Sequence, residues 1–391
     1  HLKRQTRELW LQFDKSSSKF YNKKNPLEIC AAIVDDYLYT AQRSRCKALF
    51  KFVCTLTPSR YIIYSDREGV FDNALRLFLK HQPNNDTQHI IRLYVYHSQK
   101  DKEELIKKYN IPRKNLVKFH SLYHQIAYAN AICIYTSFVD SNFYLPFGQI
   151  NYKAFYSNIY RPEIVYLQHG VLHAISLHYA AEFLDIDKIT IATYQEESYL
   201  KKLGFSDCQL IKTGLERFKA LDKSNLSIPD DIRSVLYIPS WRSYLAKRSP
   251  DNTWYPNDKK FYQSTYWKNL NEWNSEDFIE FVEKSGIKID VQLHPIFANL
   301  DISFQSKNIS TKREANISDY DLIVTDYSSI VYDAVYLGKP IVYYCPDYVE
   351  FTSGLNLYCD TLVKMKDGFG PFTQTTKELL EMLKIIKKNK K

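Results

Sequence analysis

His169, His294, Arg217, Arg242, Ser328 and Ser329 are the side chains of this sequence most apt for chemistry, because each closely follows a short run that reads as a buried strand. The run at 163–167 leads into Gln168-His169-Gly170, and 209–212 into Thr213-Gly214 with Arg217 three residues on. The run at 234–238 leads to Pro239-Ser240-Trp241-Arg242, 288–293 to His294-Pro295, and 322–324 to Asp326-Tyr327-Ser328-Ser329. Imidazoles titrate near neutrality and can move protons, while guanidinium groups neutralise anionic charge. Two hydroxyls and free backbone N–H groups where a helix begins suit a phosphate or pyrophosphate. Taken singly, each group has a plainer role. Ser caps helices routinely, a lone His is more often structural, Thr213-Gly214 also reads as a turn, and Trp241 as core. The segment around Ser328 and Ser329 alone leaves helix cap and anion site equally open. The recurrence of such groups at one end of successive strands is what points to a site.

Positioning these groups requires βα units. Residues 317–346 hold one complete unit: strand 322–324, a turn through Asp326 and Tyr327, a helix from the two serines to about Leu337, a stop at Gly338, and a second strand at 341–344. Strands are also expected at 61–64, 90–96, 116–119, 131–136 and 189–193, with helices at 71–80, 100–109, 121–130, 196–203, 275–285 and 377–387. Residues 48–56 read as helical or buried. The alternation runs in two successive blocks, which predicts an α/β protein with two doubly wound domains. The expected division is a helical lead-in at 1–25, an amino-terminal domain at 26–225 and a carboxyl-terminal domain at 226–391, with the boundary in the polar stretch 220–233. Ligands in such sheets bind outside the carboxyl ends of the strands.

The 391 residues are 45% hydrophobic and 25% charged, a globular balance, with a net charge of +9 and a basic run at 384–391. Such charge suits anionic partners, but no zinc-finger spacing, RNP-like motif or Gly-rich single-strand loop occurs, so nucleic acid is not expected. Seven scattered cysteines without a C-x-x-C pair fit a reducing compartment, and no metal site is expected. With no apolar stretch of membrane-spanning length and no signal peptide, the expected location is cytoplasmic, with any membrane work done from the surface.

The ordered set of Gln168-His169-Gly170, Thr213-Gly214-Leu215-Glu216-Arg217, Tyr237-Ile238-Pro239-Ser240-Trp241-Arg242, His294-Pro295, the run from Ser318 to Ser329, Lys339-Pro340 and Tyr344-Cys345-Pro346-Asp347-Tyr348 resembles the CDP-glycerol glycerophosphotransferase family. That family includes teichoic acid primases and polymerases and related capsule polymerases. Ser65-Asp66, Gly69 and Asp72-Asn73 are similar to its first loop, so the resemblance covers about 61–360. It implies a GT-B fold, with two Rossmann-like domains and a cleft between them. It also implies transfer of glycerol phosphate or ribitol phosphate from a CDP-linked donor to a hydroxyl of a lipid-linked or polymer acceptor. CMP leaves, and the CDP-polyol is a substrate, with no cofactor. The place of action would be peripheral, at the inner face of the cytoplasmic membrane.

On this reading His169 is the general base, from the amino-terminal side of the cleft, and His294 contacts the pyrophosphate and stabilises the departing CMP. Ser328, Ser329, Arg242, Thr213 and Gly214 bind the donor, and Asp333 reaches a polyol or ribose hydroxyl. Asp326, Tyr327, Gly170 and Arg217 support them. The chain departs from the family pattern at Val171-Leu172-His173, at Ile296 to Asn299 after His294-Pro295, and at Ser353-Gly354. Two alternatives remain: a GT-B glycosyltransferase using a nucleotide sugar, and a non-catalytic acceptor-binding module of a larger capsule polymerase.

Overall fold

A computed structural model describes residues 60–82, 90–146, 162–219, 221, 231–249, 254–356 and 360–388. The expected lead-in at 1–25, the segment 48–56 and a boundary at 225/226 lie outside the described residues. The chain groups into two compact units, His1–Leu167 and Gln168–Lys391. His169, His294 and the two serines fall in the second of these groupings.

In the first unit, strands β1 (Arg60–Ser65), β2 (Ile90–Tyr96), β3 (Leu116–Lys118), β4 (Ala131–Thr136) and β5 (Glu163–Tyr166) alternate with helices α1 (Asn73–His81), α2 (Gln99–Lys107) and α3 (Leu122–Ala129). The order is β3-β2-β1-β4-β5 and every pairing is parallel. α2 opens with a full capping box from Ser98 and Asp101. Asp66, just beyond β1, is buried, and its Oδ2 accepts from the N–H groups of Asp72 (3.0 Å) and Leu75 (3.1 Å) and from the Tyr94 hydroxyl (2.8 Å). Burial, reinforced by the charge of Asp72, pushes its pKa up to about 6. The first-loop motif is thus held by a carboxylate that anchors both the turn and the start of α1.

The second unit opens with β6 (Lys188–Thr190), α4 (Tyr194–Lys202), β7 (Leu210–Ile211) and the short helix α5 (Glu216–Lys219), with β6 and β7 parallel. Strand β8 (Ser234–Tyr237) follows. The aromatic stretch that the sequence left unassigned at 241–273 contains an antiparallel hairpin, β9 (Ala246–Arg248) and β10 (Trp254–Pro256), and helices α6 (Asp258–Gln263) and α7 (Thr265–Asn271). Then come α8 (Glu276–Ser285), β11 (Lys288–Val291), β12 (Ile309–Thr311), β13 (Leu322–Thr325), α9 (Ile330–Tyr336), β14 (Ile341–Tyr344), α10 (Tyr348–Glu350), β15 (Phe372–Thr373) and α11 (Thr376–Lys388).

The sheet order is β12-β11-β8-β13-β14-β15, again all parallel. Alternate residues feed opposite faces. Val235, Tyr237, Val324 and Tyr344 join a core with Trp273 and Phe278, whereas Leu236, Ile323 and Tyr343 join another with Val331 and Phe351. Burial on both faces explains why these strands read as continuous apolar runs. α9 ends at Gly338 (φ 64°), where Gly338 N–H donates to the Val335 carbonyl and Lys339 N–H to that of Ala334. This is a Schellman stop, which needs a left-handed residue and so favours glycine. Strand order reverses between β8 and β13, making their carboxyl ends the switch point at which doubly wound sheets take ligands. Among the described residues no helix is long and apolar enough to cross a membrane.

Candidate active site

The turn after β13 carries Asp326, Tyr327, Ser328 and Ser329. Ser329 occupies the cap position of α9, yet its side chain makes no capping hydrogen bond, and the Ser328 hydroxyl accepts from Ile330 N–H only at 3.4 Å. Both serines are half-buried. Simple capping therefore does not account for the pair. α9 has only seven residues, so its dipole contributes little to holding an anion at this turn.

The His169-Gly170 turn meets these serines. A Cβ built on Gly170 would lie 2.7 Å from Ser329 Oγ and 3.5 Å from its Cβ, so no side chain fits there without moving the hydroxyl. His169 itself is exposed. The turn owes its shape to Gln168, a buried non-glycine residue at φ 63°. Its amide donates to the Thr190 carbonyl (2.6 Å) and to Glu196 Oε1 (2.9 Å). Glu196 is itself buried and accepts from the N–H groups of Leu172 (2.7 Å), Ala192 (2.8 Å) and Thr193 (2.9 Å). Burial pushes its pKa up, and those hydrogen bonds oppose the rise. Sequence reading missed this residue, although the Thr193-x-x-Glu196 capping box marks it.

Arg217 links three of the motifs. Its Nη1 donates to the His169 carbonyl (2.7 Å) and its Nη2 pairs with Asp333 Oδ1 (2.8 Å). Gly214 (φ 72°) turns the chain into α5, and Phe218 stacks on Tyr336 of α9 with centroids 4.9 Å apart. Thr213 is exposed, and its hydroxyl donates to the Gly214 carbonyl at 3.3 Å. Asp333, expected to meet a polyol or ribose hydroxyl, is buried and engaged by Arg217.

Arg242 also differs from expectation. It is completely buried and its donors are spent inside the protein. Nε and Nη2 form a fork onto Asp347 (both 2.8 Å), while Nη1 meets Asp326 Oδ2 and the Ser240 carbonyl (2.6 Å). Tyr266 covers the guanidinium at 4.4 Å. Burial raises the pKa of Asp326, with Arg242 opposing; against the same burial effect, Arg242 and the Tyr244 hydroxyl hold Asp347 below the carboxylate range. One cation between two carboxylates leaves no positive charge for a phosphate. The trio positions loops instead: Asp326 Oδ1 also accepts Ser240 N–H (2.8 Å), tying the turn after β8 to the turn after β13. Tyr327 lies flat on Phe351, with centroids 3.5 Å apart, beneath the serine turn.

His294 follows β11, half-buried, with its ring stacked on Trp241 at 5.8 Å. Its Nδ1 accepts Ile296 N–H at 3.4 Å, which assigns the proton of the neutral ring to Nε2 and makes that atom a donor. His173 is buried, with Nδ1 3.3 Å from the Tyr332 hydroxyl, and burial lowers its pKa to about 4. The unit thus offers an exposed imidazole on the turn whose Gly170 abuts the Ser329 hydroxyl, and a second imidazole whose Nε2 can donate. That set can accept a proton from an attacking hydroxyl and stabilise anionic oxygens.

Residues 207–391 match the family described as CDP-glycerol:poly(glycerophosphate) glycerophosphotransferase. The chain is 22% identical over 339 residues to the minor teichoic acid biosynthesis protein GgaB of Bacillus subtilis (strain 168), covering 84% of this chain and 36% of that protein. It is 28% identical over 179 residues to the teichoic acid poly(glycerol phosphate) polymerase of the same strain, covering 43% of this chain and 21% of the polymerase. The chain thus spans about a third or less of these two relatives. A variant of the wall teichoic acid polymerase TagF has a similar structure, with a TM-score of 0.58 at 14% identity, covering 91% of this chain and 90% of that one. At that identity the likeness shows the fold, the α/β class with parallel sheets expected from the sequence.

Proposed function

We propose, from the premise that residues 207–391 belong to the CDP-glycerol:poly(glycerophosphate) glycerophosphotransferase family, that this chain transfers glycerol phosphate from CDP-glycerol to an acceptor hydroxyl. The observation that supports the reading is the close approach of Gly170, next to the exposed His169, to the Ser329 hydroxyl. The acceptor oxygen attacks the phosphorus next to glycerol, and the bond from that phosphorus to the bridging oxygen breaks. The acceptor proton passes to His169, and CMP departs with the bridging oxygen. Ser328 and Ser329 hold the pyrophosphate, and His294 Nε2–H donates to the leaving phosphate. Positioning and charge stabilisation supply most of the rate in such displacements. A TagF histidine variant has been soaked with CDPG, which supports this donor class.

CDP-glycerol is preferred over CDP-ribitol because the matched family and the polymerase relative are named for glycerol phosphate. The CDP-polyol is consumed as a substrate and is not a resident cofactor. The acceptor is a lipid-linked or growing polymer met at the inner face of the cytoplasmic membrane. The net charge of +9 suits that anionic surface. The test is incubation of the chain with CDP-glycerol, CDP-ribitol and a synthetic lipid-linked acceptor, followed by mass spectrometry of the products. Release of CMP with an acceptor heavier by one glycerol phosphate is expected, and His169→Ala should lower turnover about 10²–10⁴-fold. Near-normal turnover by that variant would remove His169 from the base role.

A further inference from the structure

We infer that Arg217 is a positioning residue that sets the spacing between the His169 turn and the serine turn, an inference that rests on the reading of His169 as base. One planar guanidinium reaches both sides. Nη1 donates to the His169 carbonyl at 2.7 Å, and Nη2 lies in ion-pair contact with Asp333 Oδ1 at 2.8 Å, without hydrogen-bond alignment. Asp333 is buried and lies four residues beyond Ser329, on the same face of α9 one turn later. Movement of α9 or of the His169 turn must therefore disturb a contact of the same guanidinium.

The surroundings stiffen this link. Phe218, the next residue in α5, stacks on Tyr336 near the other end of α9, so the helix that carries Arg217 is docked along α9. Gly170 comes close to Ser329 Oγ, at 2.7 Å from a Cβ built there. The Arg217 side chain is only a quarter exposed, and its charge faces a carboxylate, which makes a direct phosphate contact a poor use of it. Lysine does not replace this group, because a compact ammonium cannot put separate nitrogens against the carbonyl and the carboxylate.

The roles of spacer and phosphate ligand separate in a double-mutant cycle of Arg217→Ala with His169→Ala. A spacer acts through the base. Arg217→Ala should then lower kcat about 10²-fold, as displacement of a reacting group by about 1 Å does. Its affinity for CDP-glycerol should stay within about threefold, and in the His169→Ala background it should cause little further loss, within about twofold. Arg217→Lys should recover folding but not kcat, and Asp333→Asn should reproduce most of the kcat loss. Equal losses in both backgrounds, or a loss that falls on donor affinity, would overturn the spacer role. A readout independent of turnover is the histidine ring spectrum of isotopically labelled protein. Arg217→Ala should shift or broaden the His169 signals and leave those of His178 in place; unmoved His169 signals overturn the proposal. If the wild-type chain turns over no CDP-polyol, the transferase reading fails, and this spectrum still decides whether Arg217 orders His169.

Discussion

Gly170→Ala tests the geometry at its tightest point. Gly170 does not adopt a positive φ, so alanine suits the backbone, and the exchange stabilises by about 0.4–1 kcal/mol through the unfolded chain. The obstacle is Ser329 Oγ, 2.7 Å from the new Cβ, whereas the next nearest atom, Ser329 Cβ, is at an ordinary 3.5 Å. A serine hydroxyl is the end of a one-torsion side chain, and it can rotate to another staggered well. Rotation costs about 1 kcal/mol or less, so the two effects nearly cancel and the melting temperature should barely change. Donor binding should change substantially. A hydrogen bond to a charged group is worth about 1.5–3 kcal/mol, so turning Oγ away should weaken CDP-glycerol binding about 10–150-fold. Ser329→Ala should lose the same amount, and because it removes the clashing atom, adding Gly170→Ala to it should lose nothing further. Calorimetric titration with CDP-glycerol across the four proteins measures this, with thermal unfolding as the folding control. Losses that add, or a Gly170→Ala affinity within about twofold of wild type, would refute the placement of Ser329 as a donor ligand.

Arg242→Leu should destabilise the second unit by about 3–5 kcal/mol in urea unfolding, because Asp326 and Asp347 would be left buried and unpaired; a loss under about 1 kcal/mol would contradict the trio. Glu196→Ala should cost about 3 kcal/mol or more, since the Leu172, Ala192 and Thr193 N–H groups lose their acceptor, and should also lower kcat by releasing the Gln168-His169 turn. Stability against urea with unchanged kcat would refute this. His173 gives a pH signature. Its folded pKa, lowered by burial to about 4, lies below the unfolded value of about 6.5, so the unfolded chain binds the extra proton in between. The stability it contributes is complete above about pH 6.5 and is lost as pH falls toward 4. His173→Gln should flatten that part of a melting-temperature profile, and an unchanged slope would remove His173 as its source.

The fold was legible because its determinants are local. Apolar runs, caps and the Gly338 stop recur along the chain, and strands 131–136 and 341–344 were read to their final residues. The segment 241–273 was not, because its aromatic residues lack a clear period and take their places by packing around Phe261 and Trp273. The candidate site divided in the same way. Residue types and their order along the chain were enough to single out His169, His294, Ser328 and Ser329 as chemically apt groups at strand ends. Only tertiary structure decided which charges are available. Arg242 and Asp333 looked like ligands in one dimension, yet both are buried with opposite charges brought from far along the chain, Arg242 by Asp326 and Asp347 and Asp333 by Arg217. Ion pairing depends on through-space distance and burial, neither of which a linear pattern carries. The approach of Gly170 to Ser329 belongs to the same class, because steric exclusion exists only once the two turns have met.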